Sequence, residues 1–175
     1  MKSLIATICI LGLVGMVVGA VAQGVEETLT ATVCPELISL TVSPDSVDYG
    51  TQTLGATNLV PTPPSVTIQN TGNVAEDFLV KGDDAATAGG TWALVSSITL
   101  VDQYVHKSSP DNVTFTALTK SNATLTTNIS GETNCAATAN DGGTQALYLK
   151  MDIPSSSTVQ GQYSAPVVVT AIATP

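Results

Sequence analysis

The sequence predicts an all-β chain folded as a single two-sheet sandwich of about nine or ten short strands. Three observations carry this. Polar and apolar residues alternate with period two in segment after segment, and no window shows a helical period. Thr, a β-branched residue at home on a pleated surface, occurs 26 times in 175 positions. Turn signals built on Gly, Pro and Asn separate the segments at short intervals. A closed barrel is the alternative arrangement of the same strands.

The elements follow in order. Residues 1–22 place Lys2 ahead of an uncharged apolar run that ends Ala20-Val21-Ala22. This is the layout of a secretory signal peptide cleaved before Gln23. A retained membrane anchor is the competing reading, because the run is almost long enough to span a bilayer. Residues 23–33 follow, with Thr28 to Val33 alternating as a strand that presents Leu29, Ala31 and Val33 on one face. Residues 34–175 are expected to form one sandwich domain.

Within that domain Ile38, Leu40 and Val42 share a face before the break at Ser43-Pro44-Asp45, and Val47 and Tyr49 share another before Gly50. A Pro-rich joint at Pro61, Pro63 and Pro64 leads to Val66 and Ile68. Asn70-Thr71-Gly72-Asn73 is a tight-turn signal, since Asn and Gly tolerate positive φ, and Phe78 and Val80 are the expected return strand. Trp92 and Leu94 open a face that Ile98 and Leu100 continue; Val113, Phe115 and Ala117 alternate again. Leu125 and Ile129 mark a Thr-rich strand, and 131–143 reads as a long loop. Leu147, Leu149, Met151 and Ile153, then Val167, Val169 and Ala171, make two late strands.

Composition excludes several roles. The net charge is −9, with five Lys and no Arg, so the clustered cations that displace counterions from nucleic-acid phosphates are missing. Loss of Lys2 leaves 4 Lys against 14 acids, or −10, in the mature chain. At 43% apolar and 11% charged residues the chain is also unlike a disordered acidic tail. Export leaves Cys34 and Cys135 as an even pair, most simply a disulfide in an oxidising compartment. It would close a long loop, worth about 4–5 kcal/mol in the chain-entropy model. A metal pair or an intermolecular bond are the alternatives.

Ser43-Pro44-Asp45-Ser46-Val47-Asp48-Tyr49-Gly50 resembles the opening of Ig-like secreted surface modules, in which an N-T-G-N turn follows, here Asn70 to Asn73. The stretch 146–171, ALYLKMDIP through YSAPVVVTA, is similar to the closing hairpin of TasA-like fibre subunits and archaeal bundling pilins. The resemblance implies a jelly-roll-like sandwich that polymerises by donating an N-terminal strand to its neighbour. Residues 23–33 then become the donor, with Leu29, Ala31 and Val33 as the inserted side chains. Physically, an extended segment of this length suits addition to an exposed sheet edge. Residues 28–33 serving as the first strand of their own sandwich is the other reading.

Chemistry-bearing residues are few. His106 is the sole histidine and is expected in an exposed loop. A triad needs Ser, His and an acid to converge; Asp102 lies four residues away on a strand end, and no G-x-S-x-G elbow occurs. Glycosidase chemistry needs two carboxylates across a cleft, usually with aromatic platforms, and aromatics are 4%. No enzyme is expected, and no cofactor beyond calcium, which takes oxygen ligands in flexible loops. Its candidate ligands are Asp83, Asp84 and Asp141, which otherwise are solvated loop acids. Asn112, Asn122 and Asn128 head three N-x-S/T sequons and are candidate glycan acceptors.

The expectation is thus a secreted structural subunit of an extracellular filament, pilus or cell-surface matrix, with identical subunits as partners and no nucleic acid. A monomeric Ig-like adhesion module is the alternative, and a secreted hydrolase a distant third.

Overall fold

A computed structural model of the chain describes residues 31, 33–133 and 141–175. The signal segment, Leu29 and Cys135 lie outside these residues. Cys34–Pro175 form one compact unit, bounded at Val33. It holds ten strands: β1 (Leu40–Ser43), β2 (Ser65–Asn70), β3 (Glu76–Gly82), β4 (Ala85–Thr87), β5 (Gly90–Leu94), β6 (Gln103–Ser109), β7 (Thr116–Ala117), β8 (Ala123–Ile129), β9 (Thr144–Asp152) and β10 (Val167–Ala173). No helix occurs among the described residues.

The strands form two sheets, a β-sandwich as the alternation predicts. The larger is ordered β1-β2-β9-β6-β5-β4, with β7 also paired to β6; the smaller is β10-β3-β8. All pairs are antiparallel except β5 with β6. Period two explains which side chains go inside. On β9 Leu147, Leu149 and Met151 are buried while Tyr148, Lys150 and Asp152 face away, and on β3 Phe78 and Val80 are buried between Asp77, Leu79 and Lys81. Ile68, Phe78, Tyr104 and Leu147 form the wholly enclosed centre. Each such side chain stabilises the fold by about 1.5–3 kcal/mol relative to exposure.

Two turns do different work from that expected. Asn70 to Asn73 does not return the chain beside β2. It carries the chain from the large sheet (β2) to the small one (β3). Nor do β9 and β10 close a hairpin, for they too lie in different sheets.

Two expected strand stretches are absent for one reason, the capture of backbone amides by a side chain. Gln103 Oε1 accepts from the N–H groups of Thr99 and Leu100, so Ile98 and Leu100 do not extend the face of β5, which ends at Leu94. Asp111 Oδ1 accepts from the N–H groups of Val113 and Thr114, which leaves Val113 79% exposed and shortens β7 to two residues.

Replacing Leu147 with Ala should lower the unfolding free energy by about 2–5 kcal/mol. In urea titration this appears as a shifted midpoint with an unchanged slope; a shift below about 1 kcal/mol would contradict the enclosed core.

Candidate functional site

The two layers are unequal. Among the described residues three strands of the small sheet face seven of the large one, and a groove of about 1370 Å³ is lined by both sheets and by the connecting segments 44–52 and 159–166. Val42, Val66, Leu147 and Leu149 line it from the large sheet, and Val167 and Val169 of β10 from the small one. Among the described residues β10 occupies the end of its sheet, paired only with β3. Its inward residues Val167, Val169 and Ala171 pack on the core yet stay half-buried, whereas Phe78 and Val80 on the adjacent β3 are fully enclosed. The difference accords with β10 having a strand on one side only among the described residues.

The polar floor of the groove corrects the expectation for His106. It is 2% exposed, within β6, not in a solvated loop. Its Nε2 lies 2.9 Å from the Tyr49 hydroxyl, Nδ1 has no hydrogen-bond partner among the described residues, and the Tyr49 ring meets it edge-on at 5.8 Å. Burial holds its pKa down at about 4 and pushes the Tyr49 hydroxyl up. The signal was present in Tyr104-Val105-His106, where period two puts His106 on the same face as the buried Tyr104. Asp102 does not approach it as a triad acid. Its carboxylate accepts instead from the N–H and hydroxyl of Thr158. Trp92 stacks on Tyr163 at 3.8 Å and donates to Ser157 Oγ at 2.8 Å, fixing the rim at residues 157–163.

At one end of the sandwich the Asn70–Asn73 corner fastens the start of the domain. Asn70 is fully buried; its Nδ2 donates to the carbonyls of Val74 and Ile129, and its Oδ1 accepts from Gly72 N–H. Asn73 Oδ1 accepts from Leu37 N–H at 2.7 Å, and its Nδ2 donates to Pro35 O at 2.9 Å and to Cys34 Sγ at 3.0 Å. Glu76, buried, accepts from Ser39 N–H at 2.7 Å through Oε1, while Oε2 has no hydrogen-bond partner among the described residues. Burial raises its pKa, against the lowering effect of that bond. Gly72 is required here, since a Cβ would sit 2.2 Å from the Leu37 carbonyl oxygen. Nothing in the sequence marks Glu76 as buried beyond its place in the alternation with Phe78. The expected partner of Cys34, Cys135, lies outside the described residues.

The candidate calcium ligands are not brought together. Asp84 pairs with Lys120 at 2.7 Å, with Asp83 at 3.8 Å from the same ammonium, so a cation already stands there; the Lys120 hydrogen bond, with that from Leu94 N–H, holds the Asp84 carboxyl low. Asp141 accepts from Thr133 N–H and hydroxyl, which hold its carboxyl low. Among the described residues no group of three or more His, Cys, Asp or Glu could hold a metal ion. The three sequon residues are exposed: Asn112 in the β6–β7 connection, Asn122 just ahead of β8, and Asn128 within it. Of the expected donor face, Ala31 is exposed and Val33 is 91% exposed.

Comparisons with protein-family models, with curated proteins and with solved structures find no match to this chain.

The buried imidazole makes stability depend on pH. His106 binds its proton near pH 4 in the folded chain and near 6.5 when unfolded. The stability is therefore whole above pH 6.5 and is lost as pH falls towards 4. At about 1.4 kcal/mol per unit, this amounts to ~3 kcal/mol. Glu76 acts with opposite sign, but it is common to both chains when wild type is compared with His106→Gln. Melting temperature between pH 7 and 4 should fall more steeply in wild type than in that variant; parallel curves would contradict a neutral buried His106.

Proposed function

We propose that the chain is a secreted structural subunit of an extracellular filament or surface matrix, non-enzymatic, in which residues 23–33 of one subunit add as a strand to β10 of the next. The observation that carries this is the half-buried inner face of β10, whose Val167 and Val169 line the groove. A jelly-roll relationship to the fibre subunits the sequence resembles belongs to the same reading.

Dimensions suit it. Eleven extended residues reach ~36 Å, against ~23 Å for the seven residues of β10. With Leu29, Ala31 and Val33 on one face, the segment presents alternate small and branched side chains to a wall made of Val167 and Val169. The energetics decide what else has to happen. Burying Leu29 and Val33 yields about 3–6 kcal/mol, while ordering the backbone of seven residues costs about 7–14 kcal/mol. Side chains of the donor alone do not suffice. Addition is favourable only if it also covers groove residues that are half-exposed in the subunit and makes new main-chain hydrogen bonds, about 0.5–1.5 kcal/mol each.

Secretion through residues 1–22 and a disulfide between Cys34 and Cys135 complete the reading, the latter anchoring the base of the donor while its tip stays free. In the denatured mature chain no thiol should titrate before reduction and both should after it; reactive thiols without reductant would remove the disulfide. Deletion of residues 23–33, or Val169→Asp in the groove wall, should leave a folded monomer by light scattering and circular dichroism that forms no fibres in negative stain. Leu29→Asp should likewise abolish polymers yet still bind a synthetic peptide of residues 23–33. Intact filaments from the deletion would overturn strand addition.

A further inference from the structure

The small sheet has two outer edges, and they differ in kind. β10 pairs with β3 through seven consecutive positions, Val167↔Gly82 to Ala173↔Glu76, with no interruption. Its sequence, VVVTAIA, carries no charge, Gly or Pro. Val168 and Ile172 on its outer face are 40% and 42% exposed. A regular apolar edge of this kind is a template for another strand.

β8 is the reverse. Its pairing with β3 slips twice, between Glu76 and Phe78 and between Phe78 and Leu79. Each slip places an extra residue on β8: Ile129 to Thr126 opposes Glu76 to Phe78, and Thr126 to Thr124 opposes Phe78 to Leu79. Bulges twist a strand and break the even row of donors and acceptors that an incoming strand needs. Asn128 stands in the left-handed region at φ 58°, and its N–H is taken by Asp77 Oδ1 at 2.9 Å. Two of the three sequon residues, Asn122 and Asn128, lie at this same strand, on the far side of β3 from β10. The outer strands of the large sheet are only four (β1) and three (β4) residues long, and β4 is bridged to Ser164.

We infer that the subunit offers a second copy of this chain one acceptor edge, β10, and that β8 is closed to strand addition by its own backbone. This rests on the strand-addition reading and makes it directional: one donor enters each subunit, so growth is linear and unbranched. Sugars on Asn122 and Asn128 are compatible with assembly for the same reason.

Hydrogen exchange followed by mass spectrometry tests this on the full mature chain made in a host without N-glycosylation, so that backbone alone is at issue. Peptides covering 167–173 and 123–129 are compared between polymer and the unassembled Leu29→Asp variant. Exchange at 167–173 should slow at least about tenfold on assembly, with 123–129 unchanged. Protection of 123–129 as well would overturn the single open edge while leaving strand addition standing; protection of neither would remove both. As a second measurement, a peptide of residues 23–33 bearing a photo-cross-linker at position 31 should label 167–173 of the Leu29→Asp chain. Labelling of 123–129 would overturn the assignment, and so would fibres that fail to form when Asn122 and Asn128 carry sugars.

Discussion

The Asn70 carboxamide, enclosed where the chain passes from one sheet to the other, is the constraint on which the rest of the sandwich depends. A corner between layers exposes backbone groups that neither sheet can pair, and a buried unpaired group costs about 1–3 kcal/mol. Asn70 resolves this by acting as a second backbone, donating to Val74 and Ile129 and accepting from Gly72. Other segments close over it: Asn70 N–H reaches Gly143 O, and Glu132 N–H reaches Gly72 O. The approach is so close that a Cβ on Gly142 would lie 1.8 Å from Asn70 O. The same corner, through Asn73 and Glu76, holds residues 35–39, so the root of the N-terminal segment is fixed by the turn that defines the two layers.

From that corner the inequality of the layers follows. β3 leaves it into a sheet of three strands, whereas β2 precedes it in the wide sheet. The wide sheet buries Val66, Leu147 and Leu149, but the covering layer ends at β10. The aromatic and histidine side chains behind the groove stiffen its floor. Trp92 against Tyr163, and Tyr49 against His106, are contacts between strand residues and the straps at the rim. They hold the groove open with packed side chains.

Much of this was legible in the sequence. The inward sets on β9 and β3 follow from period two alone, and strand number and class came with them. Sheet assignment was not legible, because alternation says which face a residue takes and nothing about which layer. A turn signal such as Asn70 to Asn73 therefore read as a hairpin although it is a crossing. Local competition was equally hidden. Gln103 and Asp111 capture the amides of Leu100 and Val113, and a propensity argument sees Ile98, Leu100 and Val113 but not the acceptor beside them. His106 reads as a loop residue by its polarity, although its register with Tyr104 points inward. The groove has no sequence signal at all, since it depends on how the two layers and their connecting segments meet.

Under the proposed strand addition, the half-buried face of β10 would have a consequence for inheritance as well as for assembly. Where a core is finished by a segment from another molecule, the residue that is altered and the fold that suffers belong to different chains. On that proposal, a damaged residue 29 would weaken its neighbour and leave its bearer able to receive. Selection on such a segment acts through the company a subunit keeps.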